Sequence, residues 1–312
     1  MASYVNRGPV KSETQFDTSA VKGKTAIVTG GANGIGEAYV RRLVGAGAFV
    51  VFGDIDIDAA KKLEAELTPS VKWVKADVTK WNDQVDLFKQ TLAHAPNKRI
   101  DIVIPNAGVA GLDDVFETED DKDEPEEPQL NILRINGIGA LYTIKLALFY
   151  FRRQYAADPA ASKDQLLVLQ GSMAGYVDLK AAIQYSFTKY GLRAIMKNLR
   201  HTELAHGIRV NFIGPWFIKT KILGGGIAER LTEAGFEFAE LEDTATALLR
   251  IASDPTINGR AFGVVPRRLA EAGYLDLDLD DNKEGGVVRE LNESTNGASQ
   301  ETTDLKLSKG PE

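Results

Sequence analysis

The sequence predicts an α/β fold: a doubly wound parallel sheet of about seven strands between two layers of helices. Three observations support this prediction. Short apolar runs alternate with segments of helical periodicity, a glycine-rich turn joins the first run to the first helical segment, and the apolar runs are continuous. Continuous runs are typical of strands that are covered on both faces, and strand–helix alternation implies right-handed parallel crossovers.

The first half of the chain supplies four strands and three helices. Strand-length apolar runs occupy residues 25–29, 49–53, 71–75 and 100–104. Apolar residues recur at helical spacing over 35–46, 57–67 and 83–94. These elements alternate in order along the chain, as a doubly wound sheet requires.

The second half continues the pattern with longer helices. We expect helices over 130–155, within 180–206 and over 239–251. Strands are expected over 165–169, 208–213 and 259–265. No internal repeat interrupts this order.

The length and composition favour one domain with tails. The chain has 312 residues, of which 44% are hydrophobic, although length alone would also allow two domains. We assign residues 1–21 to an N-terminal arm, 22–275 to a single domain and 276–312 to an acidic tail that we expect to be disordered. The acidic run 117–127 is interpreted as a solvated loop, because it lacks the residue spacing of a calcium loop.

The charge and the residue types exclude several function classes. A net charge of −7 argues against general attraction to nucleic acid or anionic lipid. The absence of cysteine excludes disulfides, zinc–thiolate sites and a cysteine nucleophile. His201 and His206 are not spaced as a helical zinc pair, so no metal is expected. The sequence shows neither a signal peptide nor a membrane span, and we expect a cytoplasmic protein.

The first strand runs into a turn that contains Gly30, Gly34 and Gly36, with Asn33 and Ile35 between them. Such a turn lets a pyrophosphate approach backbone N–H groups at a helix N-terminus. Glycines also form ordinary turns, but this turn lies between the first strand and the first helix, where phosphate binding requires it. The prediction is therefore a three-layer Rossmann fold with a dinucleotide site.

Asp54 ends the second strand and is followed by Ile55. A carboxylate at this place accepts hydrogen bonds from the adenosine ribose hydroxyls and repels a 2′-phosphate. No Arg or Lys lies in the glycine turn or directly after Asp54. The sequence therefore favours NAD(H) over NADP(H), while the alternative role of Asp54 is a helix N-cap.

Tyr185 and Lys189 carry the main chemical signal. Residues four apart share one helix face, so the phenol and the ammonium can point into one site. A nearby cation lowers the pKa of a phenol, which then becomes a usable general acid/base for an alcohol or carbonyl. Alone, this spacing is usually just an ordinary helix face.

The sequence resembles the short-chain dehydrogenase/reductase family over roughly residues 22–266, because it contains motifs of that family in the same order. The matched positions are Gly30, Gly34, Gly36, Asp77, Val78, Asn106, Ala107, Gly108, Asn136, Ser172, Tyr185, Lys189, Pro215, Ile218 and Thr220. The tract 136–142 and the segment 266–276 are similar to the fungal, 15-hydroxyprostaglandin-dehydrogenase-like branch of that family.

The resemblance implies a catalytic tetrad. Tyr185 would exchange the hydroxyl proton and Lys189 would lower its pKa and hold the nicotinamide ribose. Ser172 would bind the substrate oxygen, and Asn136 would order a water that leads protons to Lys189. Structural alternatives are a polar helix position for Asn136 and a turn position for Ser172.

The remaining matches are implied to contact the cofactor. Asp77 and Val78 would lie near the adenine, and the tract 106–108 would line the site. Asp77 and Asn106 are nearly as well explained as residues that brace loops. Pro215, Ile218 and Thr220 would hold the carboxamide end, with a helix N-cap as the alternative for Thr220.

The sequence departs from the family at Pro105 and Trp216, which stand where the family usually has a small residue and a glycine. Trp216 must therefore adopt another backbone geometry or project into the pocket. Trp216 and Phe217 begin a lid over 216–240 that is rich in aromatic residues. They predict contact with a bulky apolar secondary alcohol or ketone, such as a polyketide, terpenoid, steroid or lipid; the alternative is that they pack the lid.

The resemblance implies an oxidoreductase of secondary alcohols and ketones that forms a homodimer or homotetramer through the helices at 130–154 and 180–206. Asp54 favours NAD(H) as its cofactor. Two other classes stay open. One is a non-redox cyclase or isomerase that keeps the cofactor as a structural group. The other is a nucleotide-sensing protein without chemistry, against which the intact pair of Tyr185 and Lys189 argues.

Overall fold

The computed structural model describes residues 4–13, 15–111, 113, 115–116, 123–224, 226–281, 286–287 and 289–291. The chain divides into a large unit, residues 1–277, and a short C-terminal unit, residues 278–312. Most of the predicted disordered tail and residues 117–122 of the predicted acidic loop lie outside the described residues. No helix in the described ranges is long and apolar enough to cross a membrane.

The large unit is built on one eight-stranded sheet with the strand order β3-β2-β1-β4-β5-β6-β7-β8. The strands are β1 (Thr25–Thr29), β2 (Phe49–Asp54), β3 (Val71–Lys75), β4 (Ile102–Ile104), β5 (Gln165–Gln170), β6 (Ile208–Pro215), β7 (Ala261–Val264) and β8 (Tyr274–Asp276). The first seven are parallel, and β8 pairs antiparallel with β7. The predicted α/β fold is confirmed, with β8 as an additional edge strand.

Helices cover both faces of this sheet. They are α1 (Gly34–Gly45), α2 (Ile57–Leu67), α3 (Trp81–His94), α4 (Ala140–Ala157), α5 (Ile183–Thr202), α6 (Ile227–Glu233) and α7 (Leu241–Ser253). Buried side chains of α1, α2 and α7 pack on one face, and those of α3, α4 and α5 pack on the other. The two apolar layers give the three-layer architecture that the continuous apolar strands predict.

The edge strand β8 is fixed by charge as well as by its ladder. The Arg260 guanidinium pairs with the buried Asp276 carboxylate, Nε to Oδ2, at 2.7 Å. The N-terminal arm lies along the same strand, because Val10 N–H donates to Asp276 and Glu13 N–H donates to the Tyr274 hydroxyl. Three residues of strand are too short for a periodicity signal, which explains why the sequence did not predict β8.

The helix predicted over 130–155 is interrupted. Residues 131–132 are α-helical, Leu133–Gly139 forms a π-helix, and the α-helix continues from Ala140. The Gly139 carbonyl accepts hydrogen bonds from the Gln84 amide and the Thr143 hydroxyl, at 2.8 and 3.1 Å. A π-helical turn adds a residue to the helix and is frequent at functional sites.

Parallel order places the carboxyl ends of the central strands at one edge. The chain leaves β1 towards β2 on one side, and β4 lies on the other side of β1. The reversal of strand order beside β1 creates a crevice, which is where ligands bind in open sheets of this kind. Predicted site residues lie in the turns that follow β1 to β6, and Asn136, Tyr185 and Lys189 lie in the helical segments after β4 and β5.

Candidate active site

The turn after β1 has no room for side chains at two of its glycines. A Cβ on Gly36 would lie 1.9 Å from the Gly30 carbonyl oxygen. A Cβ on Gly30 would lie 2.8 Å from Ala107 Cα, and Gly30 has a positive φ of 65°. The turn therefore folds tightly onto the start of α1 and onto the loop after β4, as close approach of backbone requires.

Asn106 fastens this turn. Its Nδ2 donates to the carbonyls of Thr29 and Gly30, at 2.9 and 3.0 Å, and its backbone N–H donates to Thr29 Oγ1. The bracing role that the sequence left open for Asn106 is thus present in the structure. Ala107 contributes the close contact with Gly30, so the tract after β4 forms one wall of the crevice.

Asp54 lies at the open rim of the glycine turn. Its Oδ2 accepts a hydrogen bond from Ala32 N–H, and its Oδ1 accepts one from Asp56 N–H, both at 2.9 Å. The N-cap of α2 is Asp56, which accepts from Ala59 N–H at 3.2 Å. Asp54 therefore does not perform the capping role that was its alternative, and Ile55 beside it is exposed.

A cation reaches this rim from a distant part of the chain. Lys221 Nζ lies 2.6 Å from Asn33 Oδ1 and 3.9 Å from Asp56 Oδ2, and Asn33 Nδ2 donates to Asp56 at 2.9 Å. Sequence reasoning found no Lys or Arg near the turn because it considered only neighbours in the chain. The helical end at Asn33 is not capped by the Asn33 side chain, which bonds to Asp56 and Lys221 instead.

The predicted catalytic residues Ser172 and Tyr185 come together. Ser172 follows β5 and caps a short helical turn, where its Oγ accepts from Ala174 N–H at 3.1 Å. The same hydroxyl lies close enough to the phenol of Tyr185 to lower its pKa, and Tyr185 is half-buried near the start of α5. The Ser172 side chain is therefore both a turn residue and a partner of the phenol.

Lys189 lies one helical turn after Tyr185 and is buried. Its Nζ donates to the Gln170 carbonyl at 3.0 Å and lies 5.3 Å from the centroid of the Tyr185 ring. Burial lowers the pKa of Lys189 to about 8. The ammonium is thus shielded from water, close to the Tyr185 ring and to the carbonyl of the last residue of β5.

The pKa of Tyr185 is raised, because burial disfavours the phenolate by more than the hydrogen bond to Ser172 favours it. This direction is opposite to the lowering that the family resemblance implies for a tyrosine beside a lysine. Burial is the main cause of the rise, and the Lys189 ammonium, which bonds to the Gln170 carbonyl, does not offset it.

Asn136 lies in the π-helix and is almost fully buried. Its Oδ1 accepts from Val109 N–H and its Nδ2 donates to the Val109 carbonyl, both at 2.8 Å. A Cβ on Gly108 would lie 3.2 Å from Asn136 Oδ1, so the tract after β4 packs directly on the amide. An amide has one further N–H and further lone pairs, which leaves capacity for a water.

Asp77 and Val78 mainly organise the turn before α3. Asp77 Oδ1 accepts from the Thr79 N–H and hydroxyl, at 3.0 and 2.7 Å. Val78 is buried, and its Cγ2 lies 2.9 Å from the place where Gly139 would carry a Cβ. The bracing alternative for Asp77 is seen directly, and adenine contact stays a prediction.

The segment after β6 begins the lid. The Pro215 carbonyl accepts a hydrogen bond from Ser172 Oγ at 3.4 Å, which joins the end of β6 to the catalytic turn. Ile218 is buried, and Thr220 Cγ2 lies 3.4 Å from the place of a Gly34 Cβ. The start of the lid thus lies against the glycine turn.

Aromatic side chains of the lid pack on one another. The Trp216 ring stacks on Phe236 with centroids 5.4 Å apart and meets the edge of Phe217 at 5.1 Å. The indole Nε1–H donates to the Glu237 carbonyl at 3.2 Å, and Phe238 packs on Phe236. These contacts match the alternative in which the aromatic residues pack the lid, and substrate contact by Trp216 and Phe217 stays a prediction.

One residue beside the site was not found from the sequence. Asp113 is buried, and its carboxylate accepts hydrogen bonds from the Gln184 N–H and side-chain amide, at 2.5 and 3.2 Å. Gln184 directly precedes Tyr185 in the first turn of α5. Asp113 lies far from α5 in sequence, so no local pattern could identify it as a residue that fixes this helix end.

The crevice fits a nicotinamide dinucleotide. The glycine turn that a Cβ would fill offers a cradle for a pyrophosphate, and the uncapped N-terminus of α1 faces it. Asp54 offers carboxylate oxygens at the ribose end. Tyr185, Ser172 and buried Lys189 lie at the ends of β5 and α5, where chemistry on an alcohol or carbonyl requires an acid/base and a hydrogen-bond donor.

Comparison with known families agrees with this geometry. A family profile described as short chain dehydrogenase matches residues 24–230, which is most of the large unit. In the solved structures, the chain is similar to a 3-ketoacyl-(acyl-carrier-protein) reductase from Brucella melitensis complexed with NADH. That similarity has a TM-score of 0.67 and 23% sequence identity, and it covers 78% of this chain and 97% of the other, so it concerns the fold.

Curated relatives come from fungi among other sources. The 5'-hydroxyaverantin dehydrogenase of Dothistroma septosporum is 30% identical over 297 residues, which cover 89% of this chain and 95% of the relative. The NADP-dependent dehydrogenase M3 of a Phoma species is 31% identical over 286 residues, which cover 88% and 84%. The chain belongs to the short-chain dehydrogenase/reductase family and is an oxidoreductase that acts on alcohol and carbonyl groups with a nicotinamide cofactor.

Proposed function

We propose that the protein interconverts a secondary alcohol and a ketone by hydride transfer with NAD(H), with Tyr185 as the general acid/base. One observation carries the proposal: Tyr185 lies one helical turn before the buried ammonium of Lys189, with the Ser172 hydroxyl beside its phenol. When bound, the nicotinamide supplies or accepts the hydride. The protein's own residues must then position the substrate oxygen and move its proton.

Ser172 and Tyr185 would share the substrate oxygen. Ser172 lies just after β5 and Tyr185 lies near the start of α5, with the two hydroxyls close to each other, so an oxygen of the substrate can contact both. The raised pKa keeps Tyr185 protonated at neutral pH, and a protonated phenol donates to the oxygen of a ketone during reduction. Oxidation of an alcohol requires the phenolate, whose population grows as the pH rises.

Lys189 would supply positive charge and donors behind the phenol. One of its three N–H groups is taken by the Gln170 carbonyl, which leaves two for a ribose hydroxyl and for a water. Asn136 retains an N–H for that water, because Val109 occupies only one donor and one lone pair of its amide. In this proposal the water carries protons between Lys189 and the surface, and Asn136 is a positioning residue.

NAD(H) is the proposed cofactor because Asp54 presents a carboxylate at the ribose end of the crevice. The relatives point both ways, since the Phoma relative is named as NADP-dependent and the Brucella structure is a complex with NADH. The carboxylates of Asp54 and Asp56 oppose a 2′-phosphate more than the single ammonium of Lys221 attracts it.

A bulky apolar secondary alcohol or ketone is the proposed substrate class. The lid carries four aromatic side chains within ring contact of each other, and this apolar wall continues from the end of β6 beside Ser172. The name of the Dothistroma relative, 5'-hydroxyaverantin dehydrogenase, supports dehydrogenation of a hydroxyl group. Polyketide, terpenoid, steroid and lipid alcohols all meet this description.

A homodimer or homotetramer is proposed from exposed apolar side chains on α4 and α5. Leu141 and Phe149 on α4, with Phe187 and Tyr190 on α5, are 43–68% exposed. Large apolar side chains grouped on two long helices are typical of an association surface. Light scattering of the purified protein should therefore give two or four times the chain mass of 33.9 kDa. A monomer at micromolar concentration would contradict this assignment.

Replacing Lys189 with an apolar residue should increase the stability of the protein and abolish its activity. Below pH 8 the Lys189 ammonium is charged in both the folded and the unfolded chain, so burial of the charge lowers stability by its full cost. This cost decreases as the pH rises from about 8, the pKa in the folded chain, to 10.5, the ordinary pKa of lysine. Lys189→Met should raise the free energy of unfolding by about 2 kcal/mol at pH 7. The gain should shrink at pH 9.5, and activity should be lost.

Urea unfolding at the two pH values measures this effect. The matched control is Lys180→Met, because Lys180 is exposed and its removal should change stability by less than about 0.5 kcal/mol. A Lys189→Met protein that is less stable than the parent at pH 7 would show that the hydrogen bond to Gln170 outweighs the burial of charge.

Tyr185→Phe should abolish turnover and leave cofactor binding intact. The phenyl ring keeps the packing of Tyr185 but cannot carry a proton, and loss of a general acid/base lowers rates by about 10²–10⁴-fold. A panel of secondary alcohols with NAD, scored by NADH absorbance between pH 7 and pH 10, should show oxidation that increases with pH for bulky apolar members. Preference for small polar polyols would contradict the substrate class.

The same panel also separates the alternatives. Cofactor binding without turnover on any alcohol or ketone would favour the non-redox cyclase or isomerase. If Tyr185→Phe turned over substrate as fast as the parent protein, Tyr185 would not be the general acid/base.

Cofactor choice is measured directly by titration with NADH and with NADPH, followed by quenching of tryptophan fluorescence. Trp216 lies at the end of β6, next to the crevice, and should report binding of either. We expect tighter binding of NADH. Tighter binding of NADPH would show that the carboxylate of Asp54 does not decide the preference.

A further inference from the structure

A three-residue polar cluster at the rim of the glycine turn takes no part in the proposed chemistry. It consists of Asn33, Asp56 and Lys221. Lys221 Nζ contacts Asn33 Oδ1 at 2.6 Å, and Asn33 Nδ2 donates to Asp56 Oδ2 at 2.9 Å. The same Asp56 oxygen lies 3.9 Å from the ammonium. The cluster thus connects Lys221, which follows Thr220 in the lid, to the glycine turn after β1.

This rim cluster is continuous with Asp54. The backbone N–H of Asp56 donates to Asp54 Oδ1, and Ala32 N–H in the glycine turn donates to Asp54 Oδ2. In the proposed function, Asp54 accepts hydrogen bonds from the adenosine ribose hydroxyls. A phosphate on the 2′-oxygen of that ribose would then lie close to the rim cluster, because Asp56 and the glycine turn both bond to the Asp54 carboxylate.

The rim cluster has the groups that decide whether a phosphate is accepted there. Lys221 offers an ammonium, and lysine binds phosphate as a point charge. Asp56 opposes this, because hydrogen bonds from Asn33 and Ala59, together with the charge of Lys221, hold the pKa of its carboxyl below the ordinary value. Asp54 adds a second carboxylate, so one cation faces two anions at this rim.

Lys221 is also free to change partners. Its side chain is 79% exposed, and its contact with Asp56 is long for an ion pair. Thr220, the preceding residue, lies in van der Waals contact range of the Gly34 Cβ position, so the backbone that carries Lys221 is held at the turn. An ammonium on a fixed backbone and a mobile stem can move from the Asn33 oxygen to an incoming phosphate.

We propose that Lys221 is the residue that recognises a 2′-phosphate, and that Lys221 and Asp56 together set the ratio of NADH to NADPH binding. The inference rests on the proposed function, in which Asp54 holds the adenosine ribose. It goes beyond that proposal because it assigns cofactor discrimination to a lid residue far away in sequence. The protein accordingly keeps measurable affinity for NADPH, and the lid contributes to it.

The test compares the ratio of the dissociation constants for NADPH and NADH in variants of the full chain. Lys221→Met should weaken NADPH binding about five- to tenfold and change NADH binding less than about twofold, since an exposed charge acts mainly on the extra phosphate. Asp56→Asn removes a negative charge and should strengthen NADPH binding by a similar factor. Lys221→Arg keeps the charge and should retain most of the affinity for NADPH.

The matched control is Lys219→Met, which removes the same charge from the same segment. The ammonium of Lys219 lies 4.9 Å from the Phe238 ring and has no assigned role at the rim. This variant should leave the ratio unchanged, and high salt should reduce the difference between the Lys221→Met variant and the parent.

The outcomes are separable. If Lys221→Met changes both constants by the same factor, Lys221 contacts a part common to both cofactors and the inference is wrong. If the ratio is unchanged, or if Lys219→Met changes it as much, the inference is also wrong, while the proposed function stands. If the parent protein binds neither NADH nor NADPH, the proposed function and the inference are both overturned.

Discussion

The close contact between the glycine turn and the loop after β4 is the constraint on which the rest of the site depends. Gly30 and Gly36 lack the atoms that would collide with Ala107 and with the turn itself, and Asn106 ties the turn to the end of β1. A side chain at either glycine would push the start of α1 away from the sheet. The crevice has its shape because backbone meets backbone here, and the cradle for a pyrophosphate is a consequence of that packing.

The catalytic half of the crevice depends on an unfavourable burial that the fold tolerates. Lys189 is held against the Gln170 carbonyl at the end of β5, and the phenol of Tyr185 lies beside Ser172. Each of these titratable groups is biased towards its neutral form by loss of water. Functional sites commonly retain such costs. Here the desolvation brings the pKa of Lys189 to about 8, while it raises the pKa of Tyr185.

Much of this arrangement could be predicted from the sequence, because the relevant signals are local. The parallel sheet between two helical layers follows from the alternation of apolar runs and helical segments, and the resemblance to the family identifies Ser172, Tyr185 and Lys189. The π-helix around Asn136 could not be predicted, since its apolar pattern is that of an ordinary helix and its hydrogen bonds come from α3 and from the loop after β4. Asp113 and Lys221 were missed for a related reason: tertiary structure alone brings them to Gln184 and to Asn33.

The difference between local signals and tertiary contacts also limits the prediction of cofactor choice from Asp54 at the end of β2. A carboxylate at the end of β2 is read from the sequence as a signal against a 2′-phosphate, because only the adjacent residues are visible there. In the folded chain the electrostatic environment of that carboxylate also includes Asp56 and the ammonium of Lys221. Charges at a few ångströms act regardless of sequence distance, and opposite charges partly cancel. In our proposal, cofactor preference depends on the whole rim: the turn contributes Asn33, β2 and the loop after it contribute Asp54 and Asp56, and the lid contributes Lys221.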